Sequence, residues 1–118
     1  MSDNYELKKV IHYFIDQFGN NCNLNWIDVS NITDMSRLFL QSSFNGDISE
    51  WDVSNVTDMS NIFDTCPFSG DISRWDVSNV TTMEMMFFYS GFNNDISHWD
   101  VSNVTEWFGI FTECPIKE

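Results

Sequence analysis

The sequence predicts an α/β solenoid: a stack of about four 24-residue coils with short parallel strands and short helical turns, lidded by one N-terminal helix. Two phrases and one amphipathic segment carry this prediction. The first phrase, Trp51-Asp52-Val53-Ser54-Asn55-Val56-Thr57-Asp58-Met59, returns at 75–83 and 99–107, and an earlier copy at 27–35 has Ile27 in the Trp slot. The second phrase, Phe44-Asn45-Gly46-Asp47-Ile48-Ser49, keeps step at 68–73 and 92–97. A fixed period of roughly 20–50 residues marks an array in which each unit buries its apolar face only against its neighbours. The chain therefore divides into a capping helix and junction, 1–23, and a repeat solenoid, 24–118, within a single domain.

The helix is expected over residues 5–18. Leu7, Val10, Ile11, Phe14, Ile15 and Phe18 fall on one stripe at helical spacing. Asp3 or Asn4 can cap its start, and Gly19-Asn20 supplies a stop. With Lys8 and Lys9 its only basic residues, the stripe suits a lid over the first coil better than a membrane surface. Within a coil, Val56-Thr57-Asp58-Met59 alternates apolar and polar residues as a half-buried strand does. Ser60-Asn61-Ile62-Phe63 reads as one capped helical turn, and Asp71-Ile72-Ser73 as a second short strand. The slots of Val53, Val56, Met59, Ile62, Phe63, Phe68, Ile72 and Trp75 are the expected core.

The repeated polar residues have structural work to do. Asn31, Asn55, Asn79 and Asn103 are expected to form an internal ladder, each amide bonding backbone of the adjacent coil. Asp28, Asp52, Asp76 and Asp100 precede Val-Ser-Asn and read as Asx-turn formers. A calcium-binding Asp column is the rival reading, but the Gly-Gly-x-Gly-x-Asp phrase is absent.

Composition narrows the function classes. Eighteen acidic against five basic residues give a net charge of −13, which opposes direct contact with nucleic acid or an anionic membrane. No apolar run approaches the ~20 residues that span a bilayer. Met1-Ser2-Asp3-Asn4 lacks the basic start of a secretory signal, so a cytoplasmic location is expected. Cys66 and Cys114 share a slot two coils apart; with coils ~4.8 Å apart they lie beyond disulfide reach, and Cys22 sits in the junction. Four Asn-x-Thr sequons coincide with the Asn ladder, which speaks against a eukaryotic secreted origin.

The run Phe44-Asn45-Gly46-Asp47-Ile48-Ser49 through Trp51-Asp52-Val53-Ser54-Asn55-Val56-Thr57-Asp58-Met59-Ser60 to Phe63 resembles the BspA-like leucine-rich-repeat family of bacterial repeat proteins. The resemblance covers roughly residues 22–116 and includes the lead-in Asn23 to Ser30. It implies a leucine-rich-repeat-like solenoid and non-catalytic binding, often at a bacterial surface. It implies no catalytic residue.

No catalytic constellation stands out. His12 and His98 have no Cys or His at ligand spacing, no Gly-x-Ser-x-Gly elbow occurs, and the five glycines build no phosphate loop. No enzyme activity, metal or cofactor is expected. Function is expected where the repeat breaks. Met85, Phe88, Tyr89, Trp107 and Phe108 replace mostly polar or smaller residues near the C-terminal end. They either cap the fold or form an exposed patch for a partner or for a two-fold homodimer through the C-terminal edge. Asp34, Asp58 and Glu106 share one strand slot, Thr82 interrupts them, and Glu84 adds charge nearby. This acidic face suits another protein, including a basic nucleic-acid-binding one. Three readings follow: an intracellular protein-binding module; a phage-type inhibitor (anti-CRISPR or anti-restriction) imitating nucleic acid; or a surface-adhesion repeat fragment.

Overall fold

In the computed structural model, which describes residues 3–116, helix α1 runs over Asn4–Phe18. Asp3 caps it, its carboxylate accepting from the Tyr5 N–H at 2.8 Å. At the other end Gly19, with φ 91°, turns the chain while its N–H donates to Ile15. Of the expected apolar stripe, Leu7 and Ile11 are fully buried, Val10, Phe14 and Ile15 half-buried, and Phe18 exposed. The stripe thus narrows toward the C-terminus of the helix, where Phe14 stacks on Phe18 and meets Trp26 edge-on. Asn4 ties the lid down by donating from Nδ2 to the carbonyls of Asp34 and Ser36.

The repeat units then stack in register, one 24-residue step at a time. Phe39, Phe63, Phe87 and Phe111 form a column of near-parallel rings with centroids 5.7 to 6.0 Å apart. Phe44, Phe68 and Phe92 form a second column beside it, and Trp51 stacks on Trp75. Each tryptophan donates its indole N–H to a carbonyl 27 residues back: Trp51 to Leu24, Trp75 to Ile48, Trp99 to Ile72. This burial satisfies the one polar atom of each indole, the condition for placing Trp in a core. All eight residues named for the expected core, from Val53 to Trp75, are buried.

The expected α/β solenoid does not form. Among the described residues there is one helix, no strand and no sheet. The parallel strands reduce to isolated bridges: Asn23–Asp47, Asp34–Asp58, Asp58–Thr82 and Thr82–Glu106. The helical turns expected at 60–63 and its equivalents are plain turns. The radius of gyration is 13.0 Å, close to the ~13.5 Å of a compact domain of this length. With extents of 36 × 27 × 21 Å, the chain is a compact globule and not a leucine-rich-repeat-like strand stack.

Two local causes explain the missing strands. Every Asp-x-Ser triplet closes an Asx turn, not only the Asp-Val-Ser ones. Asp34 and Asp58 accept the N–H of Ser36 and Ser60, and Asp47, Asp71 and Asp95 those of Ser49, Ser73 and Ser97. Each turn bends the backbone where a strand would have to continue. In addition, Arg37, Gln41, Asn61, Thr65, Met85, Tyr89, Gly109 and Glu113 all have φ between 51° and 69°. A pair of left-handed residues four apart in each unit interrupts either helix or strand there.

The Asn side chains bond as expected but on the surface. Asn55, Asn79 and Asn103 donate to the carbonyls of Ser30, Ser54 and Ser78, each at 2.7 Å, while the residues remain exposed. The ladder is therefore external. The three cysteines are free. Burial pushes the Cys66 thiol up to about 11, and its Sγ–H donates to the Phe44 carbonyl. Such a thiol carries almost no thiolate at neutral pH and is inert.

Candidate functional site

The C-terminal end of the stack is where burial fails. Slots that are sealed inside earlier units open here: Trp99 and Ile96 are half-buried, and Val101 is 48% exposed against 1% for Val53 and Val77. Trp107 stands in the slot of Met35, Met59 and Met83, all buried, yet is 60% exposed. Met83, Ile96, Trp99, Val101, Trp107 and Ile110 line an apolar cavity of about 390 Å³ on this end. The cause is geometric: a repeat residue is buried by the following unit, and none follows among the described residues.

The five aromatic-patch residues do not gather into one surface. Met85 and Phe88 are half-buried around Gly109, where an added Cβ would lie 3.2 Å from Met85 Cγ and 3.8 Å from Phe88 Cδ1. Phe88 meets Tyr89 edge-on at 4.6 Å, and Tyr89 is 56% exposed. These three hold left-handed or turn backbone beside the last unit. Trp107 and Phe108, the latter 76% exposed, sit on the unit itself.

The acidic residues divide in the same way. Parallel bridges place Asp34, Asp58, Thr82 and Glu106 in one column, as the shared slot implies. Asp34 and Asp58 carboxylates are engaged in turns with Ser36 and Ser60. Glu84 and Glu106 are exposed and border an open groove of about 820 Å³ whose other wall includes Trp107, Phe108 and Ile110. Of the candidates, Glu84 and Glu106 thus meet Trp107 and Phe108 at one groove at the C-terminal end, while Asp34, Asp58, Met85, Phe88 and Tyr89 do not line it. Sequence reasoning missed Ile96, Trp99, Val101 and Val104, since they carry ordinary repeat residues. The signal was positional: they belong to the last copy of the phrase.

The turn aspartates set the acid response. In Asp28, Asp52, Asp71, Asp76, Asp95 and Asp100 the serine hydroxyl two residues on, then its backbone N–H, holds the carboxyl below its usual range. In Asp47 the Ser49 backbone N–H leads. A pKa depressed on folding adds stability above the unfolded value, near 3.8, which is lost as pH falls through the folded value. Thermal melts followed by circular dichroism are expected to hold a constant midpoint from pH 7 to about 5 and to fall below about pH 4. A midpoint rising on acidification would mean that relief of the −13 charge outweighs the turns.

Among the described residues no group of three or more His, Cys, Asp or Glu could hold a metal ion, and no helix is long and apolar enough to cross a membrane. No curated protein and no solved structure matches the chain. Over residues 7–117, however, the helix, junction and stacked repeats match the family described as "Mycoplasma protein of unknown function, DUF285", and the chain belongs to that family.

Proposed function

We propose that this chain is a non-enzymatic, intracellular protein-binding module that works through the groove and apolar plate at its C-terminal end. The observation that carries this is the exposure of Trp107 and Val101, where the same fold buries their equivalents, beside the 76% exposed Phe108. Exposed aromatics over a partly desolvated hollow, rimmed by carboxylates, are the composition of an interface centre with a polar rim. The resemblance of the repeat phrase to BspA-like proteins supports the same reading, because it implies binding without catalysis. The external Asn amides, bonded to Ser30, Ser54 and Ser78 carbonyls, suit a compartment without N-glycosylation.

The test is capture of a binding partner by the whole chain, compared with Trp107→Ala and Phe108→Ala. Because both side chains are mostly exposed, each variant is expected to melt within about 0.5 kcal/mol of the parent. Each is expected to lose at least tenfold in affinity, the loss of a ~1.4 kcal/mol contact. Unchanged affinity in both variants would move the site elsewhere.

Inhibition of a basic nucleic-acid-binding protein by phosphate imitation is supported by a different observation. The aspartates of the stacked turns recur once per unit and stay ionised well below neutral pH. Binding of that kind collapses with added salt, whereas binding through Trp107 does not. A salt series on the captured complex separates the two.

A further inference from the structure

Over the seven residues that follow each bridge of the Asp34 column, the inter-unit backbone bonds run one way. The N–H groups of residues 35, 37, 39 and 41 donate to the carbonyls of 58, 60, 62 and 64 in the next unit. Those of 59, 61, 63 and 65 donate to 82, 84, 86 and 88, and those of 83, 85, 87 and 89 to 106, 108, 110 and 112. All twelve bonds measure 2.8–3.0 Å. In this segment donors leave toward the C-terminal side and acceptors toward the N-terminal side, whereas just before it the N–H groups of Thr57, Thr81 and Thr105 donate back to Thr33, Thr57 and Thr81. The left-handed residues produce this segregation, since a strand would alternate N–H and C=O along each edge.

The last unit keeps the same backbone, with Gly109 at φ 69° and Glu113 at 54°. Its N–H groups at Trp107, Gly109, Phe111 and Glu113 form a row of four donors with no acceptor among the described residues. Three carbonyls on the same end lack, among the described residues, the donor that the next unit supplies elsewhere: that of Thr105, whose equivalents Thr57 and Thr81 take the N–H of Thr81 and Thr105, and those of Ile96 and Ser102. Ile96 is the equivalent of Ile72 and Ile48, which take the indoles of Trp99 and Trp75. Ser102 is the equivalent of Ser78 and Ser54, which take the amides of Asn103 and Asn79.

We infer that this end docks one further unit of the same 24-residue phrase, presented carbonyl edge first. The inference rests on the reading of the C-terminal end as a binding surface and names what it binds. A row of carboxylates could also accept the four N–H bonds, but Glu106 and Glu113 and the −13 charge repel it. Neutral carbonyls spaced two residues apart meet no such repulsion. An incoming Trp-Asp-Val-Ser-Asn phrase also supplies the indole and amide that Ile96 and Ser102 lack, and its Phe slot continues the ring column beyond Phe111. A two-fold pair of this chain through the C-terminal edge sets donors against donors. A head-to-tail copy fails as well while helix α1 is in place, because Asn4 already bonds the leading carbonyls of Asp34 and Ser36. The fitting partner is a repeat unit without such a lid.

A labelled peptide of residues 68–90, which holds the indole of Trp75, the amide of Asn79 and the carbonyls of 82 to 88, is titrated into the whole chain. Saturable binding is expected, with hydrogen exchange at Gly109, Phe111 and Glu113 slowed at least tenfold. The same peptide with Trp75→Phe and Asn79→Ala is expected to bind at least tenfold more weakly. No saturable binding, or protection outside the last unit, would overturn the inference. So would protection of these amides without peptide, in step with a dimeric mass. If the peptide fails while Trp107→Ala still abolishes partner capture, this inference is wrong and the binding surface stands; failure of both removes both.

Discussion

Phe63→Ala is expected to cost about 4 kcal/mol and to lower the melting midpoint by roughly 15 °C. Phe63 is fully buried and touches rings on four sides. Phe39 and Phe87 stack on it at 5.7 Å, Phe68 at 4.4 Å, and Trp75 at 6.2 Å. With no sheet among the described residues, the register of the units depends on these columns and on the rows of backbone bonds between units. Removing the central ring leaves a cavity that neighbours held by their own stacking cannot fill. Phe63→Leu keeps most of the volume and is expected to cost less than about 1.5 kcal/mol. Phe111→Ala offers the control: the same slot, half-buried, with one ring neighbour at 6.0 Å. It is expected to cost about 1–2 kcal/mol. Equal losses at 63 and 111, read by chemical denaturation, would show that the columns do not hold the units in register.

The period, the lid and the core slots could be read from residues because burial leaves a strong pattern. Trp51 and Trp75, or Phe63 and Phe87, are invariant in type and fall at one interval. The secondary structure could not be read the same way. Val56-Thr57-Asp58-Met59 alternates like a strand, yet Asp58 spends its carboxylate on the Ser60 N–H and hydroxyl and turns the chain. The Asp-x-Ser triplet was a usable signal at Asp58 and Asp71, and it outweighs two-residue alternation when the two conflict. The left-handed positions gave almost no signal. Only Asn61 and Gly109 are residue types that favour that conformation; Arg37, Thr65, Met85 and Tyr89 are held there by inter-unit bonds. The one-way bonding of residues 35–41 and their equivalents accompanies those positions and was therefore hidden. Trp107 and Phe108 were visible as breaks in the repeat, whereas Val101 and Trp99 became candidates only through their place at the end.

Gly46→Ala is the second change with a large expected effect, and it tests how tightly the first two units meet. The phrase Phe44-Asn45-Gly46-Asp47 runs beside the junction, with Asn45 N–H donating to Asn20 at 2.8 Å and Asp47 N–H to Cys22 at 3.3 Å. A Cβ on Gly46 would overlap the Cys22 carbonyl oxygen and lie 2.7 Å from Cε1 of Phe44. One obstacle is backbone and the other a fully buried ring, so neither yields cheaply. A loss of about 3 kcal/mol or more is expected. The equivalent change one unit on, Gly70→Ala, meets the Phe68 ring at 2.8 Å but backbone only at 3.3 Å, at the Gly46 carbonyl. It is expected to cost roughly half as much. In the last unit the slot is already filled by Asn94, which is exposed and donates to the Ser69 carbonyl. The gradient runs from lid to open end, and it assigns the glycine to close packing against the preceding unit, not to a left-handed turn. Gly70→Ala proving as damaging as Gly46→Ala in parallel denaturant titrations would contradict that assignment.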